Sequence, residues 1–209
     1  SGFSTFWVND GRIRNRGIEL AVEATPRVIG DFEWSISGNI SFNRNSITSL
    51  GSSGSGGEIY MTPDKDSKQT CSYYYGKKIG NGNFLNSVVN IFIEGQPIGL
   101  FYGYKTDGII PAGETGPGFS LSEPLGEGQI KYCDINGDGF ISDLDKTILG
   151  NPNPDFTYGM STSFSWKGLS LSASLEGVYG NQIVNANLVQ ETKVMKESKK
   201  NNTKISREA

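Results

Sequence analysis

The sequence predicts an all-β chain whose antiparallel strands form part of a transmembrane β-barrel, with a long extracellular loop excursion between two hairpins. Three observations carry this reading. Three segments alternate apolar and polar residues over the roughly 9–11 residues that a tilted membrane-crossing strand needs. Aromatic residues cluster at the ends of those segments, where amphipathic rings mark the two water interfaces. The connections also segregate: two are tight turns and one is the excursion 49–155, so every long loop falls on one side of the barrel. Composition agrees with one apolar face per strand, since hydrophobic residues are only 35% of the chain and aromatics 11%.

Residues 1–48 read as the first wall hairpin. Ser1–Val8, with Phe3, Phe6 and Trp7, is the end of a strand, and Asn9-Asp10-Gly11 is a turn. Arg12–Thr25 follows as a strand with Ile18, Leu20, Val22 and Ala24 on one face and Glu19, Glu23 and Thr25 on the other. After the turn Pro26–Asp31, the segment Phe32–Arg44 alternates cleanly. Phe32, Trp34, Ile36, Ile40 and Phe42 oppose Glu33, Ser35, Ser37, Asn39 and Ser41. Residues 49–155 read as the excursion: GSSGSGG is flexible, TPDKDSKQ polar and CSYYYGKK mixed. Within it Val88–Ile93 is a short strand, Glu94–Ile110 irregular and extended, and Pro111–Gly128 a Gly- and Pro-rich loop. Residues 156–184 make the second hairpin. Phe156–Trp166 alternates throughout, Lys167-Gly168 is a tight turn, and Leu169–Tyr179 resumes the alternation. Residues 185–209 are a polar loop or ragged end. The same alternation, with its sense reversed, describes the alternative: a soluble, secreted, calcium-stabilised β module that binds carbohydrate or protein.

The segment KYCDINGDGFISDLDKTILG carries the one specific chemical motif. Asp134, Asn136, Asp138, Gly139, Ile141 and Asp145 occupy positions one, three, five, six, eight and twelve of a calcium loop. A hard cation needs several converging oxygens. Asp134, Asn136 and Asp138 offer them at alternate residues, the carbonyl of Phe140 adds one, and Asp145 closes the shell. Aspartate in place of glutamate at position twelve gives a shorter arm, so the segment reads as a lone loop of the dockerin kind rather than a helix-loop-helix hand. Pro152 and Pro154 stop a long helix after it. Ca2+ would act structurally there; the alternative is an Asx-rich turn without metal. Tyr73, Tyr74 and Tyr104 are candidate ligand contacts, with packing as the alternative, and Phe101 and Tyr102 read as packing. The chain has no histidine, and no nucleophile is paired with a base, so an enzyme is not expected. A net charge of −3 without a basic tract argues against nucleic acid. Cys71 and Cys133 could pair in an oxidising compartment; two free thiols is the preferred reading.

Four strings carry a family resemblance: NDGRIRNRGIEL, FIEGQPIGLFYGYKTDGII, GQIKYCDINGDGFISDLDKTILGNPNPDFTYG and FSWKGLSLSASLEGVYGN. Together they resemble the C-terminal part of SusC/RagA-type TonB-linked outer-membrane proteins of Bacteroidetes, over most of residues 9–190. The resemblance implies an outer-membrane barrel of about 22 strands with an N-terminal plug, importing glycans or peptides. It also implies a SusD-like surface lipoprotein at the barrel mouth, energy from the TonB system through an N-terminal region, and outer-membrane lipid around the wall. The chain runs from Ser1 to Ala209 without a plug or an aromatic-ended last strand, and is read as a piece of a longer protein.

Overall fold

A computed structural model describes residues 10–26, 30–79, 87–120 and 123–185. The strand end expected at Ser1–Val8 and all but Asn185 of the expected ragged end 185–209 lie outside the described residues. In chain order the strands are β1 Arg12–Ala24, β2 Phe32–Ser49, β3 Ser55–Tyr60, β4 Lys68–Tyr75, β5 Lys78–Ile79, β6 Ser87–Val88, β7 Asn90–Ile93 and β8 Leu100–Tyr104. They continue with β9 Thr106–Ile109, β10 Gly116–Ser120, β11 Glu123–Leu125, β12 Ile130–Tyr132, β13 Lys146–Gly150, β14 Phe156–Trp166 and β15 Leu169–Tyr179. Among the described residues the only helices are three single 3-10 turns.

The two hairpins join into one antiparallel sheet in the order β1-β2-β14-β15. Its register aligns the alternation of all four strands. Leu20, Ile40, Tyr158 and Gly177 form one cross-strand row, and Val22, Gly38, Met160 and Leu175 the next. Ala24, Ile36, Thr162 and Ala173 follow, and Trp34, Phe164 and Leu171 lie beyond them. One face is therefore an unbroken apolar band. The other carries Ser35, Ser37, Asn39 and Ser41 on β2, Ser161, Ser163 and Ser165 on β14, and Ser170, Ser172 and Ser174 on β15. A slip of one residue would put serines of β2, β14 or β15, or glutamates of β1, into the band, so the pattern itself specifies the register. Aromatic rings close both edges of the band. Trp34 and Phe164 stack at 5.9 Å at one edge, and Phe42 meets Phe156 at 5.7 Å and Phe156 meets Tyr179 at 5.0 Å at the other.

In a sandwich this face would be covered by a second sheet. Among the described residues nothing covers it: Leu20 is 58% exposed, Leu171 67% and Leu175 55%. Strand length fits a bilayer instead. The 11 residues of β15 extend about 33 Å, which at a tilt of about 40° is about 25 Å of height. Two polar groups within the band are satisfied inside it, as hydrocarbon requires. The Trp34 indole N–H donates to Thr162 Oγ1 at 2.9 Å, and the Thr162 hydroxyl donates to the Ser35 carbonyl at 3.1 Å.

The excursion differs most from expectation. Five of its strands close a small barrel in the order β13-β3-β4-β7-β8. Ile59, Ile91, Ile93, Leu100 and Tyr102 fill it, with Met61, Cys71, Tyr73 and Ile148 packed around them. Full burial of each isoleucine stabilises by about 1.5–3 kcal/mol, which gives this unit a core of its own. The closing contact is parallel, Thr147 opposite Tyr60, and the buried Thr147 hydroxyl donates to the Tyr60 carbonyl at 3.0 Å. Strand β2 also runs past the expected end at Arg44 to Ser49, and that extension carries the excursion. The segment expected to be an irregular loop at Pro111–Gly128 contains the hairpin β10–β11.

Candidate functional site

The loop between β12 and β13 brings the spaced acidic residues together. Carboxylate oxygens of Asp134, Asp138 and Asp145 lie within 4.8 Å of one another. Local turn chemistry produces this convergence. Asp134 accepts from the amides of Gly137 at 2.7 Å and Gly139 at 2.8 Å. Asn136 accepts from the Asp138 amide at 2.9 Å and donates its own amide to Asp138 Oδ2 at 2.8 Å. Asp138 Oδ1 accepts from the Phe140 amide at 3.1 Å. Gly137 and Gly139 have φ of 77° and 90°, a left-handed backbone in which a side chain would be strained.

Asp145 acts differently from the other two. It is fully buried, whereas Asp138 is exposed. One oxygen accepts from the amides of Ile135 at 2.9 Å and Asn136 at 3.3 Å; the other accepts from the Ser142 amide at 2.8 Å. The Ser142 hydroxyl accepts from Leu144 N at 3.2 Å, completing a capping box on the turn Asp143–Asp145. Asp145 thus staples the start of the loop to its end. Its short arm suits the task because the 3-10 turn carries its Cα inward. Spacing alone made Asp145 a candidate closing ligand but gave no sign of this backbone role.

The loop is held on two sides. Ile141, 1% exposed, is pinned by its amide to the Gly118 carbonyl at 2.7 Å, on the β10–β11 hairpin. Asp143 accepts from the Tyr104 hydroxyl at 3.1 Å and pairs with Lys146 at 2.7 Å. The Lys146 hydrogen bond and charge hold the Asp143 carboxyl below its usual range. Beyond Lys146 the chain enters β13, which closes the small barrel.

The candidate contact tyrosines fall in three environments. Tyr73 packs against the small-barrel core and meets Tyr75 at 5.1 Å. Tyr74 is 48% exposed beside Phe92. Tyr104 lies between Phe119 and Tyr132, each at 5.8 Å, with the Lys146 ammonium 5.1 Å from its ring centre. Burial first, then the hydrogen bond to Asp143, raises its hydroxyl pKa to about 12. Phe101 is half-buried, and Tyr102, buried in the core, is pushed up further by the same desolvation. Cys71 and Cys133 are free thiols, and burial raises that of Cys71.

A third group of residues, with no motif to mark it, joins the small barrel to the wall. Asn45 donates to Asn153 Oδ1 at 2.7 Å and accepts from the Ile98 amide at 2.7 Å. Asn153 donates to the Ile98 carbonyl at 2.8 Å, and Gln182 accepts from the Asn151 amide at 2.7 Å. Ile47 exchanges backbone bonds with Gln96 at 3.0 Å and Gly95 at 2.8 Å and is buried. Asn45 and Ile47 project from the same face of β2 as Asn39 and Ser41. The excursion is therefore anchored to the far end of β2 through residues on its polar-face side and leaves the apolar band bare.

No family model matches the chain. It is 30% identical over 194 residues to a TonB-dependent receptor of Formosa agariphila, covering 91% of this chain and 17% of that protein. It is 31% identical over 177 residues to the TonB-dependent receptor SusC of Bacteroides thetaiotaomicron, covering 84% of this chain and 15% of that one. The solved structure of the RagAB peptide transporter shares its fold, with a TM-score of 0.52 at 22% identity, covering 91% of this chain and 18% of the matched chain. The chain thus spans about a sixth of the length of the curated relatives it matches.

Proposed function

The chain belongs to the TonB-dependent receptors, of the SusC/RagA type, and from that premise we propose that its sheet is a section of an outer-membrane wall and its small barrel a cap over the lumen of a nutrient importer. The observation that carries this reading is the bare apolar band bounded by aromatic rings, with the excursion attached beyond its end through Asn45 and Ile47 on the polar side of β2. The whole importer would take up glycans or peptides with a SusD-like surface lipoprotein, driven by the TonB system. A seated cap suits that work, because a partner closing over the mouth needs a surface fixed to the wall. Tyr74, on the exposed side of the small barrel, is the candidate best placed to touch cargo; Tyr104 braces the acidic loop instead.

Single cysteines test the wall. In the full-length receptor in cells, with Cys71 and Cys133 replaced by serine, Ser163→Cys is expected to react with a small water-soluble maleimide, while Met160→Cys and Ala173→Cys stay protected. Equal labelling of both faces would end the membrane reading. Competition for uptake of a labelled oligosaccharide or peptide library would identify the cargo class.

For the acidic loop we propose that Asp134, Asn136, Asp138, the Phe140 carbonyl and Asp145 hold Ca2+. Three carboxylates converging within 4.8 Å support it, because a hard divalent ion would offset their mutual repulsion. The ion would supply only rigidity, acting on the entry to β13. Calcium is expected to slow proteolysis between Asp134 and Asp145, and Asp138→Asn to raise the calcium concentration required by about tenfold. Protection that is insensitive to millimolar calcium and to chelator would leave a metal-free Asx turn.

A further inference from the structure

The apolar band ends, on the side that carries the excursion, at Ile18, Phe42, Phe156 and Tyr179. One step beyond, on the same face, Arg16 and Arg44 stand directly opposite each other, and Arg14 follows opposite Ser46. Like charges at facing positions of an antiparallel pair repel. Only part of this charge is offset within the molecule: Arg44 pairs with Asp155 at 2.9 Å, and among the described residues neither Arg14 nor Arg16 has an ion-pair partner. Strand alternation puts no carboxylate on this face; Glu19, Glu23, Glu33 and Glu176 all belong to the polar one. Arg12, past the bulge at the strand's start, interacts with Asp10 and stands apart.

We propose that Arg14 and Arg16, together with Arg44, bind the phosphorylated headgroup of a lipid seated against the outward face of β1 and β2. The position selects the occupant. The band below takes acyl chains, so an anion at this height is joined to them. Neighbouring same-face residues on a strand are about 7 Å apart, so two planar guanidinium groups can grip one or two phosphates by paired N–H donors. The proposal rests on the sheet being a lipid-facing wall.

The test uses the full-length receptor purified in detergent and loaded with bis-phosphorylated lipid A, with bound lipid counted by mass spectrometry. Arg14→Gln/Arg16→Gln is expected to lower retention by about tenfold. Arg14→Lys/Arg16→Lys is expected to keep part of it, since charge remains while the fork is lost. Heat-modifiable migration on gels checks that each variant is folded. Equal retention by the glutamine variant and the wild type would overturn the site. Displacement of the lipid by equimolar inorganic phosphate would reassign it to free phosphate and overturn the lipid assignment. A bimane on Ala173→Cys separates the two levels of the argument. No quenching by brominated acyl chains removes the wall reading itself, whereas quenching with arginine-independent retention removes only the headgroup site.

Discussion

Asp145 shows how one side chain can serve two ends of a loop. Its oxygens take amides from Ile135 and Asn136 on one side and Ser142 on the other, in a fully buried position. Truncation in Asp145→Ala would leave buried donors without partners, at about 1–3 kcal/mol for each lost group. The small barrel should therefore melt earlier than in the wild type, with chelator present as well as absent, and the test is the unfolding midpoint under both conditions. Asp138→Asn, at an exposed candidate position of the proposed site, should change the midpoint only when calcium is present. Tyr104 gives a second handle, on pH. Its folded-state pKa of about 12 exceeds the ordinary value of 10.0, so the unfolded chain releases this proton first. The contribution is intact below pH 10 and is lost as pH rises toward 12. Tyr104→Phe should flatten that part of the stability profile, read as the difference between variant and wild-type denaturation midpoints. The acidic residues were legible from spacing, because ligand periodicity is local. The roles of Tyr104 and Asp143 were not, since their contact joins positions 39 residues apart.

Strands of the wall and strands of the cap answer to different physics. A wall strand spends its whole length between two opposite environments, so each of its residues reports a face. That makes β2, β14 and β15 readable over long stretches. The cap strands have few residues each and curve around one small core. Few positions in each are buried, Ile91 and Ile93 in β7 and Ile59 and Tyr60 in β3, whose sequence SGGEIY carries two glycines. Such segments look like loop until closure pairs them. Thr147 marks the closure, and Thr147→Val, which keeps shape but removes the donor to Tyr60, should cost about 1 kcal/mol. The junction is expected to matter more for coupling than for stability. Asn153→Ala removes the bonds of Asn153 to Asn45 and to the Ile98 carbonyl, so amide hydrogen exchange should rise in Gly95–Gly99 while Ile91 and Ile93 in the core stay protected. Uniform loss of protection would mean that the cap has no stability independent of the junction.

At the largest scale the described residues form two bodies: a sheet with one bare apolar face, and a small barrel anchored at the far end of β2. Charge placement gives the sharpest prediction. Ala173 lies in the middle of the apolar band and Ser172 beside it on the polar face. Ala173→Arg should destabilise the folded receptor in a bilayer by about 2–4 kcal/mol, whereas Ser172→Arg should be tolerated, as measured by urea unfolding in lipid vesicles. Similar losses at both positions would mean that the faces are not distinguished by solvent.

Amphipathic alternation, the aromatic edges and the ligand spacing of the acidic loop are all written within a few residues of one another, so the wall strands and the candidate ligands could be recognised before any contact was known. Closure of the small barrel, the double anchorage of Asp145, the Asn45–Asn153 junction and its place at the far end of β2 depend on groups brought together from distant parts of the chain. Periodicity tells a strand that it has two faces. Which face is covered, and by what, is fixed only when the excursion folds back and its asparagines find the extension of β2.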